Sequence, residues 1–325
     1  MTMLKQFDLS NYNGGILEEL SSTGVLIVKC SDKFTKINNN FLDLMEKYYE
    51  LPDKIKKEHV HKELHYQVGL TPEFVEMPRD YCYVALEAGA QKPSDKDPKA
   101  RWFHRVTDIE ENTEFHNITG NNVIPKQFNE WETTFNELGN EFMKVHDKLL
   151  SILETELNLP ENYLTSLCHN GNHMIAPTFS NLNKYGTLGQ ILAGFHKDIS
   201  FLTMHGKSRF SGLNIWTKEM EKITVNVPDG YMFIQAGRQL EYLTGGNIVA
   251  GFHEVIVNEN TLKQIKNAKE NNKSRIRVSS TFFTHINSDK YLEVLPQYQT
   301  EKTLTEYPKI KEGKWLQNRL KKLLK

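Results

Sequence analysis

Residues 194–201, "GFHKDISF", place an imidazole and a carboxylate inside a stretch whose other side chains suit a buried strand. Burying His196 and Asp198 is costly unless each polar group has a partner. Alternate side chains of a strand share a face, so these two are expected to point the same way. The stretch therefore predicts a buried hydrogen-bonded pair, an ion pair or a metal site.

A second apolar segment, "AGFHEVIV" at residues 250–257, offers a further ligand in His253. Two histidines and one carboxylate that leave coordination positions open form the facial triad of non-haem Fe(II) oxygenases. The same ligands also suit Zn(II), so a zinc hydrolase is an alternative. A decoy, His61 and Glu63, is predicted to lie in a helix, where residues two apart point in different directions and cannot share a metal.

The segment "RIRVSSTFF" at residues 275–283 predicts a strand with Arg277 and Ser279 on one face. A guanidinium and a hydroxyl together can grip a carboxylate, because Arg supplies a charge-assisted fork and Ser a directional donor. The alternative is a structural ion pair, since a buried Arg without an anionic partner would be costly.

Composition narrows the class of protein. The 325 residues carry a formal net charge of −1 at pH 7 and 38% hydrophobic residues. A net charge so close to zero gives no overall positive potential that would attract nucleic acid or an anionic membrane. Cys30, Cys82 and Cys168 lie far apart without a C-x-x-C pattern, which favours reduced thiols. No apolar run suits a signal peptide or a membrane span. Together with the net charge and the thiols, this leads us to expect a cytoplasmic protein with no nucleic-acid or membrane partner. We also expect it to be a monomer.

The hydrophobic pattern changes along the chain. A buried strand is predicted at 24–28, helices around 41–49 and over 127–158, and short strands bounded by Gly, Pro, Asn or Asp from residue 166 onward. Closely spaced short strands of this kind indicate an antiparallel sandwich or barrel. A charged helix at 259–273 interrupts them, and the basic amphipathic C-terminus predicts a docked helix.

In combination, "HKD" at 196–198, His253 and "RVS" at 277–279 resemble the isopenicillin N synthase-like branch of the 2-oxoglutarate/Fe(II)-dependent dioxygenases. The segments "GVLIV", "YYELPDKIK" and "GLNIW" are also similar to stretches of that family, so the resemblance covers most of the chain. It implies an α+β fold with a mainly β core. The core, residues 166–290, would be a double-stranded β-helix (a jelly roll, cupin-like). A mixed helical region (1–165) would belong to the same globule, and a helical tail (291–325) would follow.

The resemblance also implies roles for residues. His196, Asp198 and His253 would hold Fe(II), and Arg277 with Ser279 would bind the distal carboxylate of 2-oxoglutarate, with O2 as co-substrate and ascorbate as reductant. Where the family has N-x-Y, this chain reads "APTFSNLNKYG", so the candidates for one more 2-oxoglutarate contact are Thr178, Ser180 and Asn181.

Other positions are candidates for the surroundings of the pocket. Arg209 is a candidate for binding a substrate carboxylate, or else a solvated turn residue. The segment Tyr307–Pro308 is expected over the mouth of the pocket, and His205 and His285 near it. The aromatic residues Tyr81, Tyr83, Trp102 and Phe103 are expected to line either the pocket or the core.

Two departures from the family concern the region after the first two ligands. Arg238 stands where the family has an acidic residue. The distance from His253 to Arg277 is 24 residues, longer than is usual in the family, and the helix at 259–273 is expected to account for the excess as an insertion.

The expected function is the oxidation of a small-molecule, amino-acid-like specialised metabolite, by hydroxylation, desaturation or oxidative cyclisation, with release of succinate and CO2. Relatives such as isopenicillin N synthase and aminocyclopropanecarboxylate oxidase keep R-x-S without using 2-oxoglutarate, so an Fe(II) oxidase of that type is an alternative. A non-catalytic jelly-roll binding protein is another.

Overall fold

The computed structural model describes residues 4–78, 83–93 and 95–324, in which helices cover a large sheet. The strands are β1 (Gln6–Phe7), β2 (Val25–Lys29), β3 (Gly69–Thr71), β4 (Ala100–Arg105), β5 (Met174–Ile175), β6 (Thr178–Asn181), β7 (Ile191–Lys197), β8 (Leu202–His205), β9 (Leu213–Trp216), β10 (Lys222–Thr224), β11 (Tyr231–Ala236), β12 (Phe252–Ile256), β13 (Ile276–Ser279), β14 (Thr281–Phe283), β15 (Tyr291–Leu292) and β16 (Ile310–Lys311). The α-helices are α1 (Ile16–Thr23), α2 (Phe34–Tyr49), α3 (Asp53–Lys57), α4 (Tyr83–Glu87), α5 (Trp131–Glu156), α6 (Tyr163–Cys168), α7 (Leu182–Tyr185), α8 (Arg238–Leu243), α9 (Glu259–Glu270), α10 (Glu301–Glu306) and α11 (Glu312–Leu323).

The described strands form one large sheet, one small sheet and a separate two-stranded pair of β15 with β16. The large sheet has the order β1-β2-β11-β8-β14-β5-β4-β6-β13, with β3 paired to β4, and the small one has the order β10-β9-β12-β7. The pairings are antiparallel except that of β1 with β2. The predicted α+β class is therefore confirmed as a mixed helix and sheet structure with a large, mainly antiparallel sheet.

Helices α2 and α5 pack on one face of the large sheet. The ring of Phe142 on α5 stacks on Phe282 of β14, with centroids 5.2 Å apart, and meets the edge of Phe34 on α2 at 5.9 Å. Side chains alternate along β14, so Thr281 and Phe283 point away from the helices. Both line the cavities described below.

Most predicted elements match observed ones. Helix α5 lies within the predicted 127–158, β2 overlaps 24–28, and α9 begins at Glu259 as expected. Strand β4 is unpredicted, because its six residues "ARWFHR" mix charged and aromatic side chains. It nevertheless lies inside the large sheet and supplies cavity residues.

Two of the three cysteines lie among the described residues. Cys30 is half-buried and Cys168 is buried, both as free thiols, and Cys82 lies outside the described residues. Within the described ranges, none of the helices combines the length and apolarity needed to cross a bilayer.

The aromatic contact between α5 and β14 predicts a large effect on stability. The variant Phe142→Ala removes a fully buried ring and is expected to lower the free energy of unfolding by about 3–5 kcal/mol, measured by urea denaturation. The control Leu304→Ala removes a side chain that is 46% exposed and should change it by less than about 0.5 kcal/mol. Equal effects of the two variants would contradict the packing described here.

Candidate metal centre

His196 and His253 lie on neighbouring antiparallel strands of the small sheet. In the pairing of β7 with β12 they are direct partners, and their ring centroids are 4.1 Å apart. Strand β7 ends at Lys197, so Asp198 follows the strand rather than lying within it as predicted. Its carboxylate still meets both rings, with Oδ1 3.6 Å from His196 Nε2 and Oδ2 3.7 Å from His253 Nε2.

The three side chains fit a metal site. One ligand atom from each lies within 4.8 Å of the other two, and in the part of the chain that the structure describes this is the single group of its kind. Nδ1 of His196 lies 2.6 Å from the Gly194 carbonyl oxygen, and Nδ1 of His253 lies 3.3 Å from that of Gly251. With Nδ1–H donating to these carbonyls, both Nε2 lone pairs face the carboxylate, as metal-binding histidines require.

The electrostatics support the same conclusion. Burial lowers the pKa of His196 well below its ordinary value, with a further contribution from His253, so the imidazole is neutral. Burial alone would raise the pKa of Asp198, but His253, His196 and the hydrogen bond from Thr203 bring it below its ordinary value. A neutral imidazole and an ionised carboxylate are the forms that bind a metal. Two histidines and one carboxylate are the donors that suit Fe(II).

Thr203 on β8 fixes the carboxylate ligand. Its Oγ1 donates to Asp198 Oδ2 at 2.7 Å, and Ser200 Oγ lies 2.8 Å from the same hydroxyl. Sequence reasoning missed Thr203, because a threonine in a buried strand carries no signal of such a role.

The variant Thr203→Val keeps the shape of this side chain and removes the donor. Since partners of metal ligands orient them, we expect metal affinity to fall about 10- to 100-fold, measured by competition with a chelator. Thr305→Val is the control, because Thr305 bonds only a carbonyl of its own exposed helix. Unchanged metal affinity in Thr203→Val would contradict the role of the hydroxyl.

A small inner cavity of about 60 Å³ lies between residues of the two sheets. The metal triad lines one side of it, and the other side carries polar residues of the large sheet: Thr178, Ser180, His205, Arg277, Ser279 and Thr281. The predicted pair Arg277 and Ser279 therefore lies in the same cavity as the triad.

Arg277 is buried but unpaired. Its Nε donates to the Ser211 carbonyl oxygen at 3.3 Å, and across residues 4–78, 83–93 and 95–324 no carboxylate lies within salt-bridge distance of it. Burial lowers the pKa of its guanidinium to about 10, which leaves it cationic at neutral pH. The structural ion pair considered as an alternative is absent from these residues. An anionic ligand would supply the charge partner that the Arg277 guanidinium lacks.

A hydrogen-bond chain orients Ser279. Its Oγ lies 2.9 Å from Thr281 Oγ1, which lies 3.2 Å from Nδ1 of His205. Burial lowers the pKa of His205 to about 3, so the ring is neutral and carries one N–H. Nε2 of His205 faces the side-chain amide of Gln235 at 3.2 Å. With that amide donating, the proton lies on Nδ1, and the chain leaves the Ser279 hydroxyl as a donor to the cavity.

A larger outer cavity of about 410 Å³ reaches the triad from another direction. His196, Asp198, Arg101 and Phe283 line both cavities. The end of α11 and the residue after it contribute to the outer one: Arg319, Leu320, Lys322, Leu323 and Leu324. The ligand set is thus accessible from two sides, one narrow and polar and the other wider.

Other predicted residues lie elsewhere. Asn181 accepts from Asn183 N at the start of α7 and does not line either cavity. Arg209, a candidate for binding a substrate carboxylate or else a turn residue, lines neither cavity. Its guanidinium pairs with Asp43 and Glu46 on α2, at 2.6 and 2.8 Å.

The segment Tyr307–Pro308, expected over the mouth of the pocket, lines neither cavity. Tyr242 on α8 donates to the Pro308 carbonyl oxygen, and Tyr307 Oη lies 3.4 Å from Glu241 Oε1. This segment therefore packs on α8, and the cavity wall is formed by the end of α11 instead.

Histidine and aromatic predictions divide between the cavities and the core. His205 lines the inner cavity, while His285 and Phe103 line the outer one. Trp102 is buried against Tyr48 and Trp131. Tyr81 lies outside the described residues, as does the side chain of Tyr83.

The decoy at residues 61–63 differs from its prediction. His61 lies immediately before a short 3-10 helix, and its Nδ1 lies 2.9 Å from Glu63 Oε1. The pair does meet, but at the surface, where the side chains are 33% and 68% exposed.

Several solved structures have the same fold as this chain. No family model matches the chain, and no curated protein matches it by sequence. A protein of the 2OG-Fe(II) oxygenase family from Caulobacter crescentus superposes with a TM-score of 0.75 at 20% identity, covering 99% of each chain. A full-length protein from Neurospora crassa, in complex with alpha-KG and thymine, gives 0.71 at 18% identity, covering 98% of this chain and 96% of the Neurospora chain.

A third similar structure is that of JOX2 in complex with 2OG, Fe and JA. It has a TM-score of 0.68 at 16% identity and covers 97% of this chain and 84% of JOX2. The resemblance predicted from the sequence is thus confirmed at the level of structure: the chain has the fold of the 2OG-Fe(II) oxygenases.

Proposed function

We propose that the chain is an Fe(II)- and 2-oxoglutarate-dependent oxygenase. The observation that carries the proposal is that two separate binding groups share one cavity. The His196–Asp198–His253 set presents three converging ligand atoms, and the unpaired Arg277 with Ser279 lines the same cavity. A dicarboxylate that bridges a metal and a cationic clamp matches both.

The residues would have distinct roles. The two histidines and Asp198 would hold the metal, and His196 and Asp198 line both cavities. Arg277 and Ser279 bind the distal carboxylate of 2-oxoglutarate, and Thr178 and Ser180 lie beside it as further polar groups. Bound Fe(II) supplies the means to activate O2 with 2-oxoglutarate as the electron donor. The protein orients the substrate in the outer cavity and limits access of water.

The proposal extends to the architecture. We assign the facing sheets as a double-stranded β-helix whose catalytic core spans residues 166–290. Residues 1–165 contribute β1 to β4 to the large sheet, which supports their being part of the same globule. The tail, residues 291–325, supplies α11 to the cavity wall.

We propose a small molecule as the substrate, oxidised by hydroxylation, desaturation or ring closure, with release of succinate and CO2. Two similar structures contain small molecules, thymine in the Neurospora crassa protein and JA in JOX2, and the outer cavity of about 410 Å³ lies in the size range of small-molecule sites.

The test is the stoichiometry of 2-oxoglutarate consumption. We expect the purified protein with Fe(II), ascorbate and O2 to release one succinate for each 2-oxoglutarate consumed, and Zn(II) to support none. Substrate oxidation without succinate would instead identify an oxidase that does not use 2-oxoglutarate. Activity with Zn(II) in the absence of O2 would identify a hydrolase, and binding without turnover a non-catalytic protein.

A further inference from the structure

Arg101 on β4 is a second buried guanidinium next to the metal centre. It lines both the inner and the outer cavity, together with Phe283 and two of the three proposed metal ligands. Its side chain is 13% exposed, and its charged group lies 5.8 Å from the ring centroid of Phe103 and 5.4 Å from that of Phe283. The two rings hold the guanidinium at the junction of the cavities.

The hydrogen-bonding capacity of Arg101 is largely unused. Within the described ranges it makes one hydrogen bond, from Nε to Thr178 Oγ1 at 3.2 Å. Its Nη1 also forms a salt bridge with Glu76 Oε1 at 3.5 Å, a separation too long for a good hydrogen bond. A guanidinium has five N–H donors, so most of the fork lacks an acceptor. Burying the remaining N–H donors without acceptors is costly, and this points to a ligand.

Lys99, which immediately precedes β4, shows the contrast. Its Nζ lies 2.8 Å from Asp97 Oδ2 and 3.1 Å from Glu76 Oε2, so its charge is satisfied within the protein. Asp97 in turn accepts from the Gly194 amide at 2.8 Å, which ties this group to β7. The neighbouring charges are therefore structural, and Arg101 is the member of the cluster with donors to spare.

The 2-oxoglutarate clamp does not account for Arg101. Arg277 and Ser279 line the inner cavity alone, whereas Arg101 also faces the outer one. A ligand bound to Arg101 from the outer side would place its remaining atoms beside His196 and Asp198. This is where the substrate of the proposed oxygenase must lie.

On the basis of the proposed function, we infer that the substrate is a small organic carboxylate whose carboxylate group binds the Arg101 fork. A planar carboxylate matches the guanidinium with two parallel hydrogen bonds, and the charge strengthens them relative to those of a neutral acceptor. The rest of the substrate is apolar in part, because Phe103, Met174, Ile199, Leu320 and Leu323 line the same cavity.

The test uses the full chain, loaded anaerobically with Fe(II) and 2-oxoglutarate, and a library of monocarboxylic acids, each paired with its primary amide. Phenylacetate with phenylacetamide and octanoate with octanamide are two such pairs. Ligands are detected by the rise in thermal-unfolding midpoint, and their affinities are measured by calorimetry. We expect the ligands found to be acids, each binding at least about tenfold more tightly than its amide.

Variants test whether the preference for acids over amides depends on Arg101. Arg101→Gln should weaken acid binding about 100-fold and abolish the preference over the amide. Arg101→Lys, which keeps the charge but not the fork, should weaken it about tenfold. Arg209→Gln, which alters a surface arginine paired with α2, should leave it unchanged. Should Arg101→Gln fail to fold, the Lys variant decides.

Four results would overturn the inference. The first is a library in which no acid binds, and the second is equal binding of acids and their amides. The third is acid affinity that is unchanged in Arg101→Lys. The fourth is a fall in acid affinity in Arg101→Gln that is no greater than the fall in 2-oxoglutarate affinity. Failure of the proposed function would be visible at an earlier step than failure of this inference. If the proposed function were wrong, the wild-type protein would not bind Fe(II) and 2-oxoglutarate in the loading step, before any acid is added.

Discussion

Replacing His196 with alanine is expected to abolish Fe(II) binding and all oxidation that depends on it. His196 supplies one of three converging ligand atoms. Without it, only Asp198 and His253 would remain as ligands. The loss of metal affinity should exceed the roughly 10- to 100-fold effect of removing a supporting partner of a ligand. Metal content after anaerobic loading, measured by mass spectrometry, gives the result directly.

The matched control for this variant is His61→Ala. His61 also lies next to a carboxylate two residues along, Glu63, but at the surface. The His61→Ala protein should retain full metal content and activity. If His196→Ala bound as much Fe(II) as His61→Ala, the assignment of the metal centre would be wrong.

The variant Arg277→Gln is expected to raise the dissociation constant for 2-oxoglutarate about 100-fold, because removing one partner of a buried charged pair costs about 2–5 kcal/mol. Metal binding should persist, since the variant keeps His196, Asp198 and His253. Calorimetric titration of 2-oxoglutarate into the metal-loaded protein measures the effect. The control Arg209→Gln removes a guanidinium that the protein already pairs with Asp43 and Glu46.

A different outcome for Arg277→Gln would identify the alternative function. If 2-oxoglutarate did not bind to the wild-type protein and the variant instead lost affinity for the substrate, the clamp would serve the substrate. The chain would then be an oxidase that does not use 2-oxoglutarate.

The candidate metal centre could be predicted from sequence because strand alternation is local. Two polar residues at positions i and i+2 of an apolar stretch pointed to one site, and a second histidine in another apolar stretch completed it. What alternation could not show was the register. His196 and His253 are direct partners across β7 and β12, and this follows from pairing of strands far apart in the sequence.

The errors have physical causes as well. The position of Arg209 before a strand is compatible with a place in the pocket or in a solvated turn, and acidic residues of α2 hold it at the surface. Asn181 was placed with the 2-oxoglutarate contacts, but it caps a helix. Arg101 was missed because its charge interrupts the apolar pattern of a strand, and its importance depends on where β4 lies in the sheet.

The most direct test of the central claim is an anaerobic titration of 2-oxoglutarate into the Fe(II)-loaded protein, followed by visible absorption. Chelation of Fe(II) by a 2-oxo acid produces a metal-to-ligand charge-transfer band. We predict a band that saturates at one 2-oxoglutarate per chain, is absent in His196→Ala and requires far more 2-oxoglutarate in Arg277→Gln. A protein that binds Fe(II) but develops no such band, or the same band in all three proteins, would contradict the account.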